Sequence, residues 1–491
     1  MAGHGVRKVE PRNSPTSVNA IFNHRNFWDG RANNLFNGVG VFGRRDTENS
    51  PGARLAVLQS DGSLALEATE LKNSSAASQA VGPALSDFEM SCTNRIFADL
   101  GRKLLPQIGL RLQQVDVKDS LFGGSGPLGD IVATSKIGLK NTYEQMIRSG
   151  FDQKFWGATG KYRITTESDG SARLVPDATG YTQIELNFPL FFGLSIMLYE
   201  ATLVSDDSPF DRGQLSAQQQ QGKAIFEGKG KCIACHDGPL FSKAANVAGT
   251  SFQPVERMVM RDGNTALYDH GFYNIGVRPT AEDTGLGATD AFGIPLSFAR
   301  QWAVGPKVDS FEVNPCKFEV PFPGQETVGC GPDAVPPSVD LKSERLAVDG
   351  AFKTPTLRNI AITPPYFHNG GQATLSQVVA FYNRGGDFNN PEKDPDVQPL
   401  GLTLSEQDAL VAFLKSLTDD RVRCSRAPFD HPELLLPDGH KPGVVTKDGR
   451  LADRLRLLER VGASGLESGK CLNNAGDLFE VAKSISALPQ R

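Results

Sequence analysis

The sequence predicts a mainly α-helical protein, and three observations carry that prediction. Leu215-Ser216-Ala217-Gln218 opens a stretch in which Gly222, Ile225 and Phe226 share one face at i, i+3, i+4 spacing, with Ser216 placed as N-cap. Thr403-Leu404-Ser405-Glu406 offers a capping box, and Ala409, Leu410, Phe413, Leu414 and Leu417 form the apolar stripe behind it. The run from Phe188 to Val204 is apolar but carries Pro189 and Glu200. It falls short of the roughly 20 apolar residues that a membrane span needs, so it reads as a buried helix.

A chain of 491 residues can bury two or three cores. Charged residues at 22% and hydrophobic residues at 39% are ordinary for a globular protein, and a net charge of −5 excludes a nucleic-acid footprint. The 51 Gly and 31 Pro point to long loop insertions. Asp206-Asp207-Ser208-Pro209 reads as a linker, dividing the chain into 1–205, 206–425 and a C-terminal extension, 426–491. Residues 61–205 read as insertion-rich and helical, with short helical periodicity at Leu100–Leu105. Gly123-Gly124-Ser125-Gly126 lacks the Gly-Lys-Ser/Thr ending of a phosphate loop and is a turn. The extension is Pro/Gly-rich over Pro428–Val444, and a last helical stretch is expected at Leu451–Val461.

The chemistry concentrates at Lys231-Cys232-Ile233-Ala234-Cys235-His236-Asp237. Cys-x-x-Cys-His is the attachment signature of c-type haem: two thiols add to the two vinyl groups and the following imidazole binds iron. A thioredoxin-like redox pair would need a βαβ context, and a structural zinc site a second ligand pair; neither is present in the sequence. Haem c attachment takes place outside the bacterial cytoplasm, which predicts a periplasmic protein. Met1-Ala2-Gly3-His4-Gly5 has no apolar h-region, so an export signal is expected upstream of this N-terminus. Cys316 and Cys330 flank a 13-residue gap that an exported protein can close as a disulfide, and Cys424 and Cys471 read as free or paired structural thiols.

Two further stretches carry a resemblance. Asn13-Ser14-Pro15-Thr16-Ser17-Val18-Asn19-Ala20-Ile21-Phe22-Asn23 followed by Phe27-Trp28-Asp29-Gly30-Arg31-Ala32 is one. Phe352-Lys353-Thr354-Pro355-Thr356-Leu357-Arg358-Asn359-Ile360 followed by Pro365-Tyr366-Phe367-His368-Asn369-Gly370-Gly371 is the other. Together they resemble the bacterial dihaem cytochrome c peroxidases and the related methylamine-utilisation dihaem enzymes (MauG), over residues 1–50 and roughly 210–425. The resemblance implies two cytochrome c-like helical domains, in which the helix bearing Gly222 crosses the C-terminal helix. It also implies a first Cys-x-x-Cys-His upstream of Asn13. Only twelve residues precede Asn13 here and none is Cys, so the N-terminal domain reads as incomplete and one covalent haem site is expected in this chain, a second in the family.

What the resemblance implies for function is a c-type haem oxidoreductase that reduces hydrogen peroxide with electrons from a small redox protein or a protein substrate, passed through the C-terminal haem, and that forms a homodimer. The alternatives are a monohaem electron-transfer cytochrome without peroxidase activity, or a haem subunit of a split enzyme. Tyr382 matches the sixth haem ligand, methionine in the peroxidases and tyrosine in the MauG branch. An anionic phenolate would stabilise ferric iron and lower the potential relative to methionine. Met258, Met260 and His270 remain rival ligands. Trp28 matches the tryptophan between the two haems. Glu48 stands at about the distance of the family's peroxide-pocket glutamate, a candidate for general acid/base work, while Gly38 replaces the pocket's Gln; His4 falls near the distal histidine position. The resemblance also implies calcium, with Asn13, Thr363 and Pro365 at the matching positions.

Overall fold

The computed structural model describes residues 10–135, 137–246, 253–304, 309, 318–319, 345–447, 449 and 451–472. His4, Cys316 and Cys330 lie outside the described residues. Among those described are eleven α-helices, of which Phe188–Glu200 is the longest at 13 residues, and no helix is long and apolar enough to cross a membrane.

The two helices around the Cys-x-x-Cys-His motif form as the sequence predicts. Ala217–Glu227 starts at Ser216, whose Oγ accepts from Gln219 N at 3.3 Å while Gln219 Oε1 accepts from Ser216 N at 2.8 Å. Leu404–Lys415 starts at Thr403 with the same reciprocal cap through Glu406, at 3.3 and 2.7 Å. Each box satisfies two backbone donors that the first helical turn leaves open. The helices cross at Gly222. A Cβ built there would lie 2.0 Å from the Ala409 carbonyl oxygen, so only glycine lets the two backbones meet. Around this crossing, Ile225, Phe226, Ala409, Leu410, Phe413 and Leu414 join Phe241, Leu357 and Val379 in one buried apolar cluster. A separate cluster in the first 200 residues packs Ser75–Ala80 against Phe188–Glu200, through Phe36, Ala77, Phe188 and Phe191.

The mainly helical expectation is incomplete, because among the described residues twelve strands arranged in five small sheets accompany the helices. Three antiparallel hairpins, Leu55–Leu58 with Leu64–Glu67, Tyr162–Thr166 with Ala172–Pro176, and Val255–Val259 with Thr265–Asp269, share one device. Each turn carries an Asp-Gly pair with glycine at positive φ: Gly62 at 83°, Gly170 at 82° and Gly263 at 80°. The aspartate accepts the backbone N–H two residues on, at 2.9 to 3.1 Å. Asp-Gly between apolar segments is the strongest short-range hairpin signal, and it prevails locally at the first two of these turns, while five helices between Ser75 and Glu200 agree with the helical reading of the rest of 61–205.

The expected helix at Leu451–Val461 is also corrected. Leu451–Leu458 is a strand paired antiparallel with Leu434–Val445, inside the stretch read as polar and turn-rich. Leu451, Leu455 and Leu458 satisfy helical spacing, but Leu455 and Leu457 also alternate, and the partner strand decides between the periods. The extension folds back on the first 200 residues: Glu433 N donates to Gln114 O at 2.8 Å and Ala463 N to Lys118 O at 2.8 Å. Cys424 and Cys471 are joined as a disulfide.

Candidate haem site

Lys231, at φ 56°, turns the chain sharply after the Ala217–Glu227 helix, and Cys232–Ala234 forms a single 3₁₀ turn. His236 N donates to Cys232 O at 2.9 Å, closing the loop that carries both thiols and the imidazole. Cys232 and Cys235 are free thiols. Cys232, Cys235 and His236 open onto one cavity of about 1290 Å³, its open mouth included. Its walls are mainly apolar, among them Phe226, Leu357, Ile360, Val379, Leu410 and Leu414.

Burial sets the protonation states. It lowers the His236 imidazole to about 4, so the ring is neutral near pH 7 and has a lone pair for a metal. The Phe241 carbonyl lies 2.8 Å from His236 Nδ1. A carbonyl at Nδ1 fixes ring and tautomer and assigns metal binding to Nε2. Burial pushes the Cys232 thiol up to about 12 and raises Cys235 as well. Two thiols, a neutral oriented imidazole and a deep apolar cavity are the donor set and shape that a covalently attached haem requires, so the residues present fit the group.

Tyr382, on the Leu375–Asn383 helix, faces the same cavity, and its phenol is raised by burial. The rival ligands do not line the wall. Met258 and Met260 are buried with Tyr268 and Tyr273 in a cluster that packs against Cys235, and of these four only Tyr273 reaches the cavity wall. His270 Nδ1 lies 2.8 Å from Glu256 Oε2, outside the cavity lining.

Trp28 stands in the wall of this cavity and of a second, polar cavity of about 1270 Å³. Its Nε1 donates to Asn13 O at 2.6 Å, and its ring meets His368 edge-on at 6.4 Å. Arg12, Asp29, Arg31, Glu89 and Glu200 line the polar cavity. Glu200 Oε2 is buried without a hydrogen-bond partner, and burial raises its carboxyl to about 7. Glu48 is exposed on the Arg44–Asn49 helix and lines neither cavity. The short helix turns its carboxylate to solvent.

Asn13 and Pro365 meet, but the Asn13 amide N–H donates to the Pro365 carbonyl at 2.6 Å, while Thr363 is exposed. Two of the three positions that the resemblance implies for calcium, Asn13 and Pro365, are thus brought together. The sequence reading also gave no role to Lys353 and Asp394, both buried in the wall of the haem cavity, or to Glu200. Lys353 had a visible signal: it is a charge inside the otherwise uncharged run from Ala351 to Leu357.

Comparison with known proteins agrees with the resemblance. The family model described as di-haem cytochrome c peroxidase matches residues 2–107. Cytochrome-c peroxidase IdrP1 of Denitromonas iodatirespirans is 33% identical over 259 residues, covering 50% of this chain and 53% of that protein. Methylamine utilization protein MauG of Methylorubrum extorquens is 26% identical over 229 residues, covering 45% of this chain and 42% of that protein. In both cases the matched stretch spans about half of the relative. The crystal structure of the diheme peroxidase BthA from Burkholderia thailandensis E264 aligns over 86% of this chain and 76% of its own, with TM-score 0.39 and 16% identity. By these sequence matches the chain is similar to the dihaem cytochrome c peroxidases and to MauG over about half of its length.

Proposed function

We propose that the chain is a c-type haem oxidoreductase that reduces hydrogen peroxide with electrons from a small redox protein or a protein substrate. The observation that carries this reading is the convergence of Cys232, Cys235, His236 and Tyr382 on one apolar cavity. A haem attached there would supply reversible one-electron iron chemistry. The thiols of Cys232 and Cys235 would anchor it, His236 Nε2 and the Tyr382 oxygen would donate to its iron, and the apolar walls would exclude water. Trp28, shared by both cavities, is the aromatic contact between this site and the N-terminal region.

The two separate apolar clusters support a division into two cytochrome c-like units, 1–205 and 206–425, with 426–491 as an extension. The Cys424–Cys471 disulfide and the need for haem attachment outside the cytoplasm support a periplasmic location. The test is peroxide-dependent oxidation of a reduced small cytochrome by the haem-loaded protein. Turnover that His236→Ala abolishes supports the reading; a haem-loaded protein that cannot turn over peroxide contradicts it. One observation favours a second reading, a monohaem electron-transfer cytochrome: the sequence contains a single Cys-x-x-Cys-His. In that case the haem-loaded protein exchanges electrons with the small cytochrome and leaves peroxide untouched.

A further inference from the structure

We propose that Lys353 supplies the counter-charge for a carboxylate of the group held in the Cys232–Tyr382 cavity, namely a haem propionate; this rests on the haem reading above. Lys353 is 4% exposed and stands in the cavity wall. Its backbone is pinned on both sides. The strand Phe352–Lys353 pairs antiparallel with Phe272–Tyr273, Lys353 N donates to Trp28 O at 2.7 Å, and Thr354 N donates to Gly271 O at 2.8 Å. On the next residue, the Phe352 ring stacks on His368 at 3.6 Å between centroids. A lysine held this firmly has little freedom to carry its amine out to bulk water.

Among the described residues, no carboxylate or carbonyl pairs with this amine. The acids of the same cavity are committed elsewhere: Asp396 pairs with Lys231 Nζ at 3.0 Å, and Asp394 accepts from Asp396 N at 2.8 Å. Burying an ammonium without a partner is strongly unfavourable, and proteins avoid it by pairing the charge or neutralising the group. Burial lowers Lys353 only to about 8, so the amine is still mainly protonated at pH 7. A cation of this kind on the wall of an apolar cavity is explained by an anion arriving with the ligand. Haem has two carboxylates at the edge of an otherwise apolar disc, which matches a wall that is apolar except at a few points.

The experiment uses the haem-loaded protein and the variants Lys353→Met, Lys353→Gln and Lys353→Arg. Haem per chain is measured first, then the midpoint potential at pH 7 and the propionate-bending band in resonance Raman spectra. Loss of the cation leaves the propionate charge uncompensated, which favours oxidised iron. Both neutral variants are therefore expected to show a lower potential and a shifted propionate band, and arginine to restore both. Loss of haem from both neutral variants but not from the arginine variant supports the same pairing. Wild-type potentials and an unmoved band in haem-loaded Lys353→Met and Lys353→Gln overturn it. So does a lowered potential with an unmoved band, since the cation would then act on a carboxylate that is not part of haem. Wild-type protein without covalent haem overturns the underlying reading instead, and the haem count reveals that before any Lys353 variant is compared.

Discussion

Two cavities meet at Trp28, and their walls are opposites. On the C-terminal side the wall is apolar and holds two thiols and a neutral imidazole. On the N-terminal side the wall mixes carboxylates, arginines and amides with prolines, hydroxyls and aromatic rings, and among the described residues it offers neither thiol nor imidazole. The difference teaches where, among the described residues, this chain offers thiols and a neutral imidazole to a flat apolar cofactor: on the C-terminal side. A porphyrin face replaces side-chain contacts in a core, so a site that holds one is apolar and deep.

The largest break of this contrast is chemical. The double substitution Cys232→Ala, Cys235→Ala is expected to remove covalent haem entirely, read by mass and by haem stain on a denaturing gel. Cys92 is the one described cysteine of residues 1–205 and is exposed, so Cys92→Ala should leave haem content unchanged. The next effect compares the two helix crossings. At Gly222 an added Cβ meets the Ala409 carbonyl at 2.0 Å, a backbone atom that cannot step aside. At Gly193 it meets the Phe36 ring at 2.8 Å and the Ala77 carbonyl at 3.0 Å, and the ring can shift. Gly222→Ala should thus destabilise by about 1–3 kcal/mol or more, and Gly193→Ala by less, since alanine returns roughly 0.5–1 kcal/mol of helix preference, as thermal unfolding of the haem-loaded protein would show. Equal losses of melting temperature would contradict the comparison.

A smaller effect sharpens the apolar side. Tyr382→Phe removes the phenol oxygen and is expected to raise the haem potential and alter the absorption spectrum, because an anionic ligand stabilises ferric iron. A potential and spectrum identical to the parent's would remove Tyr382 as ligand. The smallest effect belongs to the polar side. The Glu200 carboxyl is raised from 4.5 to about 7, so between these values the folded protein binds more protons than the unfolded chain. Its contribution is fully present below pH 4.5 and is lost as pH rises through about 7. Glu200→Gln should flatten the fall in stability over that window, measured as melting temperature against pH.

The helix crossing and the haem loop were legible in the sequence because both depend on local rules. A capping box at Thr403, a stripe behind it, a glycine opposite and a five-residue attachment motif need no knowledge of distant contacts. The hairpins were equally local, and Asp61-Gly62, Asp169-Gly170 and Asp262-Gly263 are visible in the sequence; a helical expectation for 61–205 masked the first two of those turns. The strand at Leu451–Leu458 was ambiguous in principle, since its leucines satisfy both periods until Leu434–Val445 lies beside them. Lys353 and Glu200 are visible as lone charges within uncharged runs, but their role is not. Their importance comes from burial without a partner, a property of tertiary packing that residue type and spacing do not encode. Glu48 shows the converse, where the right residue at the right distance along the chain faces solvent.

The central claim is tested most directly by counting covalent haem per chain, through pyridine haemochrome absorbance and intact mass, on protein exported with the haem-attachment machinery. One haem per chain, lost when Cys232 and Cys235 are replaced, is the predicted result. A chain that emerges with no covalent haem while Cys232 and Cys235 are intact would contradict it.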